Sequence, residues 1–321
     1  MILDNEVDRT VVVTGHERIA DDVWRVTLAD PEGAALPEWQ PGAHIDVVLG
    51  PDLVRQYSLC SSPTALDTYA IAVLREANGR GGSKAICDGL HVGDKVTIRG
   101  PRNHFPLVAA PHYRFIAGGI GITPLLPMIE QAEHAGADWD LVYGGATRSG
   151  MAFAEALVAQ YGDRVELLAR DEVDASLRTR LPGLLEHPQG GMLVYCCGPE
   201  SLLAAAEEQM AHWAKGSLHL ERFTPKQSDD AENHAFEVEL VRSGLTLHVP
   251  PERSIVEVVQ DAGIMVLTSC KDGVCGTCET IVLEGDIDHR DSVLNAEERE
   301  TATSMMVCVS RCKGDRLVLD L

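Results

Sequence analysis

From residue 10 to residue 105 apolar and polar positions alternate in short runs: 10–13, 23–28, 44–49, 54–59, 69–74 and 95–98. Turn formers such as Pro41-Gly42 and Gly50-Pro51 separate them. Strands at that spacing, without a long helical period between them, predict an antiparallel barrel or sandwich. From Arg114 the texture changes. Apolar strand-like runs at 115–117, 140–143, 164–169 and 192–196 interleave with helical periods at 125–134, 153–161 and 200–213. That alternation predicts a parallel sheet covered on both faces. A polar, acidic, aperiodic stretch over 224–235 reads as a linker, which could span at most ~40 Å if fully extended. Beyond it come a hairpin (236–240 and 245–249), a helix opened by the capping box Ser254/Glu257 and running to about 262, and strands at 280–283 and 316–319, a small α+β unit.

Chemistry concentrates at Cys270, Cys275, Cys278 and Cys308. Their spacing, C-x4-C-x2-C with a distant fourth cysteine, is that of a plant-type 2Fe–2S site. Thiolates are soft ligands suited to iron–sulfur chemistry, and Gly273 and Gly276 let the loop turn sharply around an inorganic core. A structural zinc site would favour a second C-x2-C or C-x2-H pair, and the loop holds one such pair. Cys60, Cys87, Cys196, Cys197 and Cys312 read as small apolar fillers.

Three further motifs could meet ligands. Arg55-Gln56-Tyr57-Ser58-Leu59 lies on a strand, with Arg55 and Tyr57 on one face and Gln56 and Ser58 on the other. An arginine can clamp a phosphate, a tyrosine can lie against a flat ring, and a serine can bond a ring nitrogen. Asn78-Gly79-Arg80-Gly81-Gly82-Ser83-Lys84 opens a helix over 83–88 and forms a backbone nest for an anion. Gly118-Gly119-Ile120-Gly121-Ile122-Thr123-Pro124 and Cys197-Gly198-Pro199 both end strands, where parallel sheets bind ligands. Thr123 is the expected N-cap there, with Pro124 in the first helical turn.

The chain of 321 residues carries a net charge of −22, which argues against nucleic acid and anionic membrane as partners. No apolar run reaches the ~18 residues of a membrane span, and the first residues do not read as an export signal. Nine cysteines in that setting suggest a reducing, cytoplasmic location.

Arg-x-Tyr-Ser-Leu, Gly-Arg-Gly-Gly-Ser, Ala-Gly-Gly-Ile-Gly-Ile-Thr-Pro and Tyr-Cys-Cys-Gly-Pro occur in that order, followed by the cluster cysteines. In this the chain resembles the phthalate dioxygenase reductase family over essentially its whole length. The resemblance implies an FMN-binding antiparallel β-barrel (1–108), an α/β nicotinamide-nucleotide domain (109–225), a linker (226–235) and a β-grasp-like α+β ferredoxin domain (236–321). It implies that Arg55, Gln56, Tyr57, Ser58, Ala72, Val73, Leu74, Gly81, Gly82, Ser83, Thr123 and Phe223 meet FMN. Gly118, Gly119, Gly121, Cys197, Gly198 and Pro199 would receive NADH, and Cys270, Cys275, Cys278 and Cys308 would ligate the cluster. Two departures stand out: Leu74 replaces a basic residue common in such reductases, and Arg148 lies where it could touch the 2′-phosphate of NADPH. The implied activity is hydride transfer from NADH to FMN, then single-electron transfer through the cluster to a terminal Rieske oxygenase acting on an aromatic or similar small substrate, with no catalytic acid or base. Alternatives are a cytochrome P450 partner, an FAD cofactor, and an iron–sulfur redox sensor without turnover.

Overall fold

The computed structural model describes residues 8–50, 53–173, 176–226, 233–301 and 303–321. Contacts divide the chain after Glu221 into two compact units. Most of the expected linker, 227–232, lies outside the described residues.

The first unit holds two sheets. Strands β1 (Arg9–Ala20), β2 (Val23–Ala29), β3 (His44–Gly50), β4 (Leu53–Ser58), β5 (Thr68–Leu74) and β6 (Lys95–Arg102) pair antiparallel in the order β4-β3-β6-β1-β2-β5. The residue after β4, Leu59, bridges to Ile71 of β5, and Cys60 N–H donates to Ala70 O at 2.8 Å, so the two outer strands meet and the sheet closes. Alternation aims Val11, Val13, Val26, Leu28, Ile45 and Ile98 inward, and all are buried. Helix α1 (Gly82–Gly89) packs on this barrel through Ile86 and Cys87.

Strands β7 (His112–Gly118), β8 (Asp138–Gly145), β9 (Val165–Ala169), β10 (Met192–Cys197) and β11 (Leu218–Glu221) form a parallel sheet in the order β11-β10-β7-β8-β9. Adjacent residues of β7 divide between its faces. Phe115 joins a core with helices α2 (Leu125–His134) and α3 (Ala154–Tyr161); Ile116 joins one with α4 (Leu177–Leu185) and α5 (Glu200–Gln209).

Several elements differ from the sequence reading. Thr123 is not the N-cap of α2: a 3-10 turn over Gly119–Ile122 runs straight into the helix, Pro124 takes the cap position, and the Thr123 hydroxyl donates back to Ile120 O at 3.0 Å. Phe153 adopts a left-handed conformation (φ 64°), so α3 starts one residue later than its periodicity suggested. Helix α5 stops at Gln209 because Trp213 turns back, its indole N–H donating to Leu185 O at 2.9 Å. Helix α4, whose leucine period is interrupted by Pro182, and the four-residue strand β11 are not anticipated by the sequence pattern.

The second unit contains β12 (Phe236–Leu240), β13 (Leu245–Val249), α6 (Ile255–Asp261), β14 (Glu279–Glu284), β15 (Ile287–Asp288), α7 (Ala296–Thr301), β16 (Ser304–Met306), β17 (Arg311–Cys312) and β18 (Arg316–Leu319). Its sheet runs β13-β12-β18-β14-β16, with the first and last strands, β12 and β18, side by side and parallel. Helix α6 buries Ile255, Val256 and Val259 against it. The expected capping box is present, Ser254 and Glu257 each bonding the other's backbone N–H. This is the β-grasp arrangement.

Candidate redox sites

The glycine turn that opens α1 is a candidate anion site built by backbone. Gly81 stands at φ 88° before α1, a conformation that costs glycine little, and the helix begins with no side-chain cap and no acidic residue in its first turn. Its first N–H groups are therefore free to bind an anion. Arg55 lies against this turn: a Cβ on Gly82 would stand 2.5 Å from Arg55 Cγ, and the guanidinium donates to Arg80 O at 3.3 Å and Val54 O at 2.8 Å. Ser83 Oγ accepts Glu76 N–H at 3.1 Å and keeps its own proton to donate. Tyr57 shares Arg55's face of β4 and packs on the barrel core; burial pushes its phenol well above the ordinary range. Gln56 turns the other way and donates to Asp46 Oδ1 at 3.0 Å, beside the buried Asp46–Arg102 pair. Ala72 is buried in a cluster with Ile120 and Phe153 that joins barrel to parallel sheet, and Val73 lies in the barrel core. Leu74 is exposed at the end of β5. Phe223 belongs to the second unit and is also exposed.

The parallel sheet changes direction of winding at β7, whose neighbours are β8 and β10. The loops that follow β7 and β10 flank that switch point, where such sheets open a crevice. The glycines there serve first to let the two loops touch. A Cβ on Gly121 would stand 2.3 Å from Cys197 O, and one on Gly118 would stand 2.8 Å from Pro199 Cδ; Gly198 backs onto Gly118 in the same way. Gly119, at φ 58°, faces open space.

One participant was not singled out from the sequence. Glu221 ends β11 in register with Cys197 at the end of β10, and Ser58 of the barrel donates to Glu221 Oε2 at 3.4 Å. Burial pushes the Glu221 carboxyl up to about 8, against the opposing hydrogen bond from Ser58. Cys197 is wholly enclosed, and burial, with Glu221 next to it, holds its thiol well above the usual range. Serine, thiol and protonated carboxyl thus meet where barrel and parallel sheet join. The only prior signal was Glu221 beside Phe223 in Glu221-Arg222-Phe223, on a strand too short to show a period.

In the second unit the loop from Cys270 to Cys278 folds so that its thiols meet Cys308. Cys270 lies within hydrogen-bonding reach of both Cys275 and Cys308, and Cys308 within reach of Cys278. Gly273 and Gly276 take φ 70° and 72° inside this loop. Contact with Cys270 and burial both push the Cys275 thiol far up, so it becomes a thiolate only beside a cationic core. That donor set fits a 2Fe–2S cluster. All nine cysteines are free of disulfides. Among the described residues no helix is long and apolar enough to cross a membrane.

Comparison with known proteins agrees with this division. Residues 10–106 match the oxidoreductase FAD-binding domain family, and residues 238–313 match the 2Fe-2S iron-sulfur cluster binding domain family. Phthalate dioxygenase reductase of Burkholderia cepacia is 39% identical over 311 residues, covering 96% of both chains. A solved structure titled phthalate dioxygenase reductase, a modular structure for electron transfer from pyridine nucleotides to [2Fe-2S], matches with 38% identity over 98% of each chain at a TM-score of 0.71. The structure of an intact type IV self-sufficient cytochrome P450 monooxygenase matches all of this chain but 42% of its own, with 42% identity and a TM-score of 0.92. A flavin-binding barrel, a parallel sheet and a 2Fe–2S domain in one polypeptide, matched end to end, place this chain in the phthalate dioxygenase reductase family, the flavin/iron–sulfur oxidoreductases that serve as reductase components of oxygenase systems.

Proposed function

We propose that the protein takes electrons from NADH through FMN to a 2Fe–2S cluster and delivers them singly to a terminal oxygenase with a Rieske centre. The observation that carries this reading is the gathering of Cys270, Cys275, Cys278 and Cys308 in a chain whose first unit offers both an anion nest and a switch-point crevice. When bound, the flavin supplies the step from paired to single electrons and the cluster carries one at a time.

The chain's own residues bind, orient and shield. Arg55 and the N–H groups opening α1 would hold the flavin phosphate, with Arg55 and Lys84 supplying the positive charge that Leu74 does not. Tyr57 and Ser58 would meet the ring, Ser58 from the side that faces Glu221. Gly119, Cys197, Gly198 and Pro199 would border the nicotinamide. Glu221 would keep a proton on its carboxyl, so that negative charge arriving beside it meets a neutral neighbour. FMN is preferred over FAD because the nest with its single arginine clamp suits one phosphate. NADH is preferred because Arg148 is already engaged, its guanidinium with Glu155 at 2.9 Å and its backbone N–H with Asp171 at 3.0 Å.

A cytochrome P450 partner is the second reading, favoured by the likeness to the self-sufficient monooxygenase. The test is to extract and identify the flavin, count iron, and measure NADH consumption with purified Rieske and P450 oxygenases. One FMN, two irons and acceleration by a Rieske oxygenase are expected. Acceleration by the P450 enzyme alone would transfer the assignment to the second reading.

A further inference from the structure

His289 follows β15 and is 9% exposed, and among the described residues neither of its ring nitrogens has a hydrogen-bond partner. Asp291, two residues on, is fully buried. Its Oδ1 accepts the N–H groups of Val293 at 2.9 Å and Leu294 at 2.8 Å and stands 3.8 Å from Arg299 Nη2, while Oδ2 has no hydrogen-bond partner and stands 3.8 Å from His289 Nδ1. Buried polar atoms are ordinarily paired, so three unpaired ones in one place call for an explanation. A proton on Nδ1 would join two of them as an ion pair.

The place is open to solvent on one side and tied to the cluster loop on the other. A cavity of about 420 Å³ is walled by His289 with the charged residues Asp286, Asp288, Arg299, Glu300 and Lys313. Behind His289, Ser292 N–H donates to Gly273 O at 2.8 Å, and a Cβ on Gly273 would stand 3.2 Å from Asp291 Cα. Gly273 lies between Cys270 and Cys275. The charges facing the imidazole are Asp291 and Asp288, which favour its cation, and Arg299 and Lys313, which oppose it; Asp286 and Glu300 complete the cavity wall. Burial outweighs the two carboxylates and holds the imidazole below its usual range, so it rests neutral.

We propose that His289 is a redox-linked proton site: when the neighbouring cluster gains an electron, His289 Nδ1 takes one proton from solvent through the cavity and pairs with Asp291. One negative charge enters the cluster and one positive charge enters the imidazole, and on reoxidation both leave. The linkage is reciprocal, since a proton favoured by the electron must favour the electron equally. The inference rests on the cluster reading above.

The experiment is a redox titration of the full-length protein, followed by EPR of the reduced cluster, at pH values from 5.5 to 9. The wild type is expected to lose reduction potential as pH rises between the imidazole's oxidised-state and reduced-state titrations, at a slope there of up to ~59 mV per unit, the one-electron equivalent of a tenfold change in proton activity. His289→Gln is expected to be flat. A pH-independent wild type, or a slope that survives in His289→Gln, overturns the proposal. If that variant fails to hold the cluster, NMR titration of His289 in the oxidised and reduced wild type decides: a higher imidazole pKa in the reduced state supports the proposal and equal values overturn it. Absence of any EPR signal from reduced protein would instead sink the cluster assignment.

Discussion

Replacing Glu221 with Gln removes a titrating group while keeping an oxygen for Ser58 to donate to. In the native chain this carboxyl holds its proton up to about 8, whereas an exposed glutamate releases it near 4.5. Between those values the native state binds one proton more than the unfolded state. A group raised in this way contributes stability that is complete below the unfolded value and is lost as pH rises through about 8. The slope is therefore about 1.4 kcal/mol of lost stability per pH unit. Unfolding of the first unit can be followed by release of flavin fluorescence in urea at pH 5.5, 6.5 and 7.5. The difference between wild type and Glu221→Gln is expected to shift by about 3 kcal/mol across that range, with the wild type losing ground as pH rises. Flavin reduction by NADH is expected to slow in the wild type above pH 8, where the carboxyl ionises beside an electron-accepting site, and to stay level in the variant. Parallel stability curves for the two proteins would refute the buried, protonated carboxyl and with it this account of the junction.

Four other outcomes test the remaining sites. Cys275→Ser is expected to abolish cytochrome c reduction while NADH still bleaches the flavin; joint loss would contradict separate electron-carrying modules. Arg55→Ala removes a charged clamp worth about 1.5–3 kcal/mol and is expected to weaken FMN binding by roughly 10–150-fold, read by fluorescence titration of the apoprotein. Gly121→Ala would drive a methyl into Cys197 O, so a loss of about 1–3 kcal/mol in stability and a raised KM for NADH are expected. Glu155→Gln frees Arg148 from a largely exposed ion pair and is expected to raise the NADPH-to-NADH ratio of kcat/KM by about 2–5-fold.

The elements legible in the sequence are those whose side chains repeat an environment. Parts of β2 and β6 alternate because one face is core, whereas β3 and β5 are buried over consecutive residues; the cluster loop is legible from the spacing of its soft thiolate ligands. Strand β11 escaped because four half-buried residues show no period, and β15 and β17, at two residues each, are shorter than any pattern. Helix α4 was hidden by Pro182, tolerated although it lies inside the helix because Leu177, Leu181 and Leu185 anchor one face. The glycine turn that opens α1 could be read from local spacing. The Ser58–Glu221 contact could not, since it joins residues 163 positions apart. The glycines after β7 were legible as a tight turn, but which of them faces open space and which faces Cys197 is a matter of packing between loops.

Both sites where charge would arrive share a design that neither motif announces. Beside the barrel–sheet junction stands a carboxyl held neutral by burial; beside the cluster loop stands an imidazole held neutral by the same cause. The two act in opposite senses. Glu221 is an acid that is already protonated, so it avoids repelling an incoming electron and costs stability only as pH rises. His289 is a base that is still unprotonated, with an unpaired carboxylate oxygen waiting 3.8 Å away, so it can gain a charge when one is needed. A protein of net charge −22 has little general attraction for electrons to offer. Under the proposed function, local neutrality at one site and an available proton at the other would be the means by which its own residues counter that field.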